Sequence, residues 1–260
     1  MTSPAVGAPD EALRRAAAFV FVERLDDLRL EPPDAHHLLE VLRLGEGAVV
    51  VAADGAGRWC LAALAGARRR ARRSEAARLE ALGPVREAPR PPFAVGVGFA
   101  LPKGDRAEWT VRKLTELGVD RIVPLLTERT VVALDAAARR RRGERLRRVA
   151  REAAAQARRP ALPEVADPLP LADLLAEPPD GLVAADFGGG PPEPSARFAV
   201  VGPEGGFAPR ELPATLARLG LGPTVLRCDT AALAAGVLLC ARRTWGAGAE
   251  LVGHAGVGAV

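Results

Sequence analysis

Phe198-Ala199-Val200-Val201-Gly202-Pro203-Glu204-Gly205-Gly206 runs from four apolar residues straight into a turn of one proline and three glycines. A short apolar run bounded by turn signals reads as a buried strand. The glycines let backbone amides approach a ligand closely and let the chain take positive φ. A helix is expected next, opened by Pro209 and ended by Gly220. A strand, a loop and a helix in that order form the crossing at which α/β proteins bind ligands. The spacing matches neither the dinucleotide fingerprint nor a phosphate-binding P-loop. A ligand loop is therefore preferred here over a simple turn.

About twenty residues on, Val225-Leu226-Arg227-Cys228-Asp229-Thr230-Ala231-Ala232 reads as a strand, Val225 to Arg227, a polar group of three, and an alanine-rich helix from Ala231 to Trp245. Asp229 or Thr230 fits a helix N-cap as well as it fits a ligand contact. Upstream, Phe93–Phe99, Val119–Leu126 and Leu182–Ala185 read as strands. Between them, Arg106–Leu117 is helical, with Trp109, Val111, Leu114 and Leu117 apolar and Gly118 as its stop; Glu144–Arg158 is a second helix. Alternating strands and helices predict an α/β domain with a mainly parallel sheet.

Residues 83–92, with Gly83, Pro84, Pro89, Pro91 and Pro92, read as a linker. The preceding part, residues 1–82, is mostly β. Phe19–Val22, Ala48–Ala52 and Trp59–Leu64 are apolar runs, and Asp54-Gly55-Ala56-Gly57 turns the last two into a hairpin. One helix is expected, capped by Asp34, with Leu38, Val41 and Leu42 on its face and Gly45 at its end. A small β-barrel with one helix is a common RNA-binding accessory domain. The run Arg68-Arg69-Arg70-Ala71-Arg72-Arg73 near its end reads as a solvated strand end or loop, with phosphate binding as the other option.

The 260 residues suit two domains, and 48% hydrophobic content supplies real cores. No stretch approaches the roughly 20 apolar residues that span a bilayer. The apolar run Ala16–Val22 is short for a signal peptide and reads as a first strand, so a cytoplasmic protein without membrane partners is expected. Cys60, Cys228 and Cys240 lack metal or disulfide spacing, and His36, His37 and His254 form no cluster, so no metal is expected. The net charge of +4 is unevenly placed. Residues 1–82 balance 12 basic against 12 acidic residues, whereas residues 139–159 hold 10 arginines against Glu144 and Glu152. Such a segment reads as a polyanion footprint or as a solvated helix face. Of 36 basic residues 34 are arginine, and the two lysines, Lys103 and Lys113, fall in one short segment where a compact ammonium group is useful.

Several motifs occur in one order: Pro102-Lys103-Gly104-Asp105, Lys113-Leu114-Thr115-Glu116-Leu117-Gly118-Val119, Thr127-Glu128-Arg129-Thr130 and Glu152-Ala153-Ala154-Ala155-Gln156-Ala157-Arg158-Arg159. The 202–206 loop and Leu226–Ala232 complete the series, and His37-Leu38-Leu39-Glu40-Val41-Leu42-Arg43 precedes it. In this order they resemble the RsmE family of 16S rRNA uridine-N3 methyltransferases across roughly residues 19–245. The resemblance implies a PUA-like β-barrel over residues 1–82 and, after the linker, a SPOUT-type α/β trefoil knot over 93–247. A flexible tail over 248–260 completes the expected layout. It further implies S-adenosyl-L-methionine as cofactor, 16S rRNA or the small ribosomal subunit as partner, and a homodimer. The family commonly has Arg-Thr-Glu-Thr where this chain has Arg227-Cys228-Asp229-Thr230, which shortens the carboxylate by one methylene and removes a hydroxyl.

By the same resemblance, Gly202, Glu204, Gly205 and Gly206 form one wall of the cofactor site. Leu226, Arg227, Cys228, Asp229 and Thr230 form another, and Ala185 at a neighbouring strand end joins them. Uridine N3 must lose an imide proton before it attacks, so a cation near the uracil oxygens and a proton acceptor are required. Arg227 or Arg129 suits the first role, and Glu204 or Asp229 the second. Lys103, Lys113, Gln156, Arg159 and Arg43 are assigned to RNA, with Glu116 holding Lys113. Two other readings share the sequence features. One is a knotted methyltransferase acting on another rRNA or tRNA site; the other is a non-catalytic RNA-binding assembly factor. The methyltransferase reading requires the segments 202–206 and 226–230 to meet in space around the methyl donor, whereas the assembly factor has lost its cofactor.

Overall fold

The structure, a computed structural model, describes residues 11–66, 78–130 and 134–245. The chain divides into two units, Met1–Arg90 with Arg148–Pro163, and Pro91–Arg147 with Glu164–Val260. A linear reading assigns Arg148–Pro163 to the second domain; its contacts place it in the first unit. The arginine run 68–73 and the tail lie outside the described residues.

Among the described residues the first unit opens on a short helix, α1 (Glu11–Arg15), and holds strands β1 (Ala18–Phe21), β2 (Val49–Ala53), β3 (Arg58–Ala65) and β4 (Arg78–Ala81) in that spatial order. Strand β1 runs parallel to β2, and the other pairs are antiparallel. The expected hairpin joins β2 to β3. Its turn is shaped by Asp54, whose Oδ1 accepts from the amides of Ala56 and Arg58 at 2.8 and 3.1 Å. Period-two alternation buries both faces. Val20, Val50, Ala52 and Leu64 pack on one side with Leu38, while Phe19, Phe21, Val51 and Trp59 pack on the other with Ala154. Within the expected linker, β5 (Arg86–Glu87) pairs with β3.

The helix of this unit departs from expectation. Helix α2 (Pro32–His36) begins on two prolines, which suit its first turn, so Asp34 lies inside it and not at its cap. The chain continues through a π-turn, His37–Val41, where the amide of Leu42 bonds the carbonyl of His37 at 2.9 Å. The extra residue per turn rotates the buried face onto Ala35, Leu38 and Leu39 and leaves Val41 and Leu42 exposed.

The second unit is a seven-stranded sheet among the described residues. Its strands are β6 (Gly96–Ala100), β7 (Arg121–Leu126), β8 (Glu164–Val165), β9 (Leu169–Pro170), β10 (Leu182–Gly190), β11 (Phe198–Val201) and β12 (Arg218–Leu219). Spatial order is β12-β10-β11-β6-β7-β8, with β9 also on β7, and every pair is parallel. Helices α3 (Arg106–Glu116), α5 (Leu171–Ala176) and α6 (Cys228–Trp245) accompany it, with α4 (Ala136–Gln156) as far as Arg147; the rest of α4 is assigned to the first unit. Helix α3 buries Ala107, Val111 and Leu114 and leaves Trp109 outside. Helix α4 starts two turns before the expected Glu144 because Asp135 caps it, its Oδ1 accepting from the Ala138 amide at 2.7 Å.

The chain enters β10, steps inward to β11 beside β6, and then crosses β10 to reach edge strand β12. It then returns so that α6 packs against β6, β11 and α3. Because the strands are parallel, the carboxyl ends of β6, β10 and β11 share one edge, and the start of α6 is brought to it. The thiol of Cys228 donates to the carbonyl of Ala100, the last residue of β6, at 3.3 Å.

Two expected elements are absent. Residues 209–217 form turns, not a helix, since Arg210 sits at φ +69° and Pro213 brings no amide hydrogen. Residues 225–227 form no strand; the edge pairing is made instead by Arg218 and Leu219 with Ala184 and Ala185.

Candidate active site

At the shared strand edge lies a cavity of about 580 Å³, within the second unit. Its floor is the end of β11, where four buried residues give way to the glycine turn. The turn closes on a hydrogen bond from the Gly206 amide to the Pro203 carbonyl at 2.7 Å, with Gly206 at φ +69°. A side chain at 206 would be strained there. At 202 a Cβ would stand 3.2 Å from the Phe207 ring, a tight contact that would push the ring outward by a few tenths of an ångström.

Three segments far apart in sequence line this cavity. They are the 202–208 turn, the end of β10 at Ala185 with Asp186 and Phe187, and the passage from Leu221 to Leu226. Of the residues singled out by sequence for cofactor, Ala185, Gly202, Glu204, Gly205, Gly206 and Leu226 stand in the wall. Arg227, Cys228, Asp229 and Thr230 do not; the next residue that does is Ala231. Strand β10 shifts register between Ala185 and Gly190, which throws Asp186 and Phe187 out of the ladder and toward the cavity. Asp186 faces Arg218 at 3.7 Å, and both line the site. Sequence reading passed over these residues, although a lone phenylalanine before three glycines was a usable signal.

The first turn of α6 is internally paired. Arg227 donates to Asp229 at 2.7 Å, and the other oxygen of Asp229 accepts from the Thr230 amide at 2.9 Å. An acidic residue in the first turn also complements the positive end of the helix dipole. Asp229 is buried, 9% exposed, while the Arg227 side chain is half exposed. The Cys228 thiol is pushed up to about 12, first by burial and then by the nearby carboxylates of Glu204 and Asp229. It is a neutral thiol, a weak donor toward the Ala100 carbonyl.

Around the glycine turn stand groups from other elements. The Arg129 guanidinium donates to the Gly205 carbonyl. Arg106, the first residue of α3, faces Glu204 at 4.0 Å. Arg129 is presented by the Thr127–Thr130 turn, in which the two hydroxyls bond at 2.8 Å and the Thr127 amide donates to Thr130 Oγ1 at 2.9 Å.

The basic residues assigned to RNA lie in both units, and Glu116 holds Lys113 at 2.7 Å as its spacing predicts. Lys103 is exposed. Gln156, Arg159 and Arg43 belong to the first unit, with Gln156 and Arg43 exposed. At least six of the ten arginines in 139–159, Arg159 among them, have partners within the protein. Arg142 donates to the Gly104 carbonyl at 2.7 Å, Arg145 to Glu108 at 3.0 Å and Arg147 to Asp167 at 2.8 Å. Arg151 and Arg158 donate to backbone carbonyls of the first unit. Arg140, Arg141 and Arg148 remain exposed. Among the described residues no group of three or more His, Cys, Asp or Glu is placed to hold a metal ion.

Comparison with known proteins bears on this geometry. A family model described as an RNA methyltransferase domain matches residues 89–239, and one described as an RNA methyltransferase PUA domain matches residues 30–71. The chain is 33% identical over 248 residues to the ribosomal RNA small subunit methyltransferase E of Mycobacterium bovis, covering 84% of this chain and 89% of that protein. The Bacillus subtilis protein of the same name is 30% identical over 232 residues, covering 82% and 89%. Among solved structures, a putative methyltransferase from Legionella pneumophila in complex with bound SAM superposes with a TM-score of 0.74 at 27% identity, covering 87% of this chain and 98% of that one. The Neisseria gonorrhoeae ribosomal RNA small subunit methyltransferase E, bound to S-adenosyl methionine, superposes with a TM-score of 0.72 at 25% identity, covering 88% and 98%.

Proposed function

The chain belongs to the RNA methyltransferase family that includes ribosomal RNA small subunit methyltransferase E, a PUA-like barrel followed by a SPOUT-type knotted domain, and we propose that it transfers the methyl group of S-adenosylmethionine to N3 of a specific uridine in 16S rRNA. One observation carries the reading: the glycine turn and Leu226, far apart in sequence, face one cavity at the strand edge.

The residues present suit the cofactor. The volume of about 580 Å³ lies inside the range of small-molecule sites. Phe207, Leu212 and Leu226 offer apolar surface to a planar base, and Asp186, Arg210 and Arg218 offer charge to the sugar and amino-acid ends. When bound, the cofactor supplies a sulfonium-activated methyl group. The protein must then orient the uracil and manage its imide proton. Glu204 stands in the cavity wall and is exposed, so we assign it the proton. Asp229 is engaged by Arg227 and by the Thr230 amide, and we assign it to holding that arginine. Arg227, half exposed, then supports the negative charge that develops on the uracil oxygens. Arg129, bound to the loop carbonyl, is assigned to loop geometry first. Lys103, Lys113, Gln156, Arg159 and Arg43 are assigned to RNA contact.

We assign the reaction to the cytoplasm; no helix among the described residues is long and apolar enough to cross a membrane. We also propose a homodimer, supported by Trp109 on α3, Leu117 just after it, and Val237 and Trp245 on α6, all exposed on or beside helices that pack together. Mass spectrometry of 16S rRNA from cells lacking the gene should show one N3-methyluridine lost, restored by the wild-type gene. Unchanged N3-methyluridine would overturn the assignment.

A further inference from the structure

Glu211 lies outside every motif considered above, yet its carboxylate joins two loops. One oxygen accepts the Glu128 amide at 2.7 Å, across 83 residues of sequence, and the other accepts the Ala208 amide at 2.7 Å. Ala208 ends the glycine turn, and Glu128 immediately precedes Arg129, whose guanidinium holds the Gly205 carbonyl. Ala208 to Glu211 has the spacing of a capping box, in which a glutamate reaches back to the amide three residues before it. No helix follows here, and the second oxygen is turned to the other loop instead.

We propose that Glu211 is a positioning residue for the cofactor: it clasps the Thr127–Thr130 turn to the glycine turn and so sets the wall on which S-adenosylmethionine rests. This rests on the methyltransferase reading above. Two amide donors converge on one carboxylate, and only a group with two acceptor oxygens satisfies both. Without it, both amides lose a charge-assisted partner, and the turn carrying Arg129 loses one of the two ties to the glycine turn described above. A glutamine is isosteric but has one acceptor oxygen, and its NH₂ faces an N–H it cannot bond.

The test is Glu211→Gln, with Glu211→Ala and Arg129→Ala beside it, in the full-length chain. Glu211→Gln should raise KM for S-adenosylmethionine by about tenfold, as expected for losing one charged hydrogen bond, and lower kcat at saturating cofactor far less. A purely structural loss would shrink the active fraction, lowering kcat and leaving KM unchanged. Combining Arg129→Ala with Glu211→Ala should weaken cofactor binding no more than the worse single change, since both act through one clasp. Amide hydrogen exchange over residues 127–130 should rise in Glu211→Gln while β7 stays protected. An unchanged KM, a double variant showing the product of the two single losses, or unchanged exchange would overturn the proposal. If the wild-type protein neither binds nor uses S-adenosylmethionine, the methyltransferase reading falls, and the exchange experiment alone still decides the clasp.

Discussion

Cys228 shows how burial and neighbouring carboxylates set the chemistry of one side chain. The thiol, pushed up to about 12 by burial and by Glu204 and Asp229, donates to the Ala100 carbonyl. Only the thiolate is alkylated, so at pH 8 iodoacetamide should modify Cys228 roughly a thousandfold more slowly than an ordinary cysteine. Peptide mapping after timed quenching reads this directly; labelling at the rate of an unfolded control would contradict it. The same shift predicts a sign for pH. The folded thiol keeps its proton to about 12, whereas its ordinary value is 9.0, so this stabilisation is complete below pH 9 and fades as the pH rises toward 12. Gly206 makes the complementary case. At φ +69° an alanine is strained, so Gly206→Ala should cost about 1 kcal/mol in a urea titration and weaken S-adenosylmethionine binding in the same preparation. Wild-type values for both would show that the turn tolerates a side chain.

Helix α4 gives a prediction that reverses the usual propensity. Gly143 lies in its interior, where replacing glycine by alanine normally stabilises by about 1 kcal/mol. Here an added Cβ would lie 1.8 Å from Asp167 Oδ1 and 3.0 Å from the Asp167 Cα, and Asp167 is the partner of Arg147. Gly143→Ala should therefore destabilise by about 1–2 kcal/mol, and by less in an Asp167→Ala background; a raised urea midpoint would refute the packing argument. The same helix marks what the sequence made legible. Its apolar face was readable from periodicity, but its start depended on Asp135, which the arginine run obscured. Strands Phe198–Val201 and the Asp54–Gly57 hairpin were readable because apolar runs and turn chemistry are local. The segment 209–227 was misread for the opposite reason. Val225 and Leu226 look like a strand because they are apolar, yet they face a cavity, and Val225 is 82% exposed. Periodicity does not distinguish an apolar residue that lines a ligand site from one that fills a core. In the site itself, the glycine turn was legible within nine residues. Asp186, Phe187 and Glu211 depend on a register shift or on a bond spanning 83 residues, which no local pattern records.

The division of the chain has a consequence for how it folds. Sequence composition suggests a cut near residues 83–92, but Arg148–Pro163 belongs with the first unit. That segment supplies Ala154 to the core containing Phe19, Phe21, Val51 and Trp59. It also donates from Arg151 to the Phe21 carbonyl at 3.0 Å and from Arg158 to the carbonyls of Leu13 and Ala16 at 2.6 and 2.8 Å. Each hydrogen bond from a charged donor contributes about 1.5–3 kcal/mol, so three of them together rival the ~5–15 kcal/mol stability of a whole domain. A fragment of residues 1–90 should therefore fail to fold cooperatively. The same fragment joined by a flexible linker to residues 148–163 should recover a sigmoidal urea transition. Trp59 reports the outcome without labelling, because it is the single tryptophan of that fragment and is 2% exposed in the folded chain. Its emission should be red-shifted and insensitive to urea in the short fragment, and blue-shifted with a clear midpoint in the extended one. A cooperative transition with buried Trp59 in residues 1–90 alone would mean that the barrel stands without the returning segment, and that the arginine contacts decorate a core already complete.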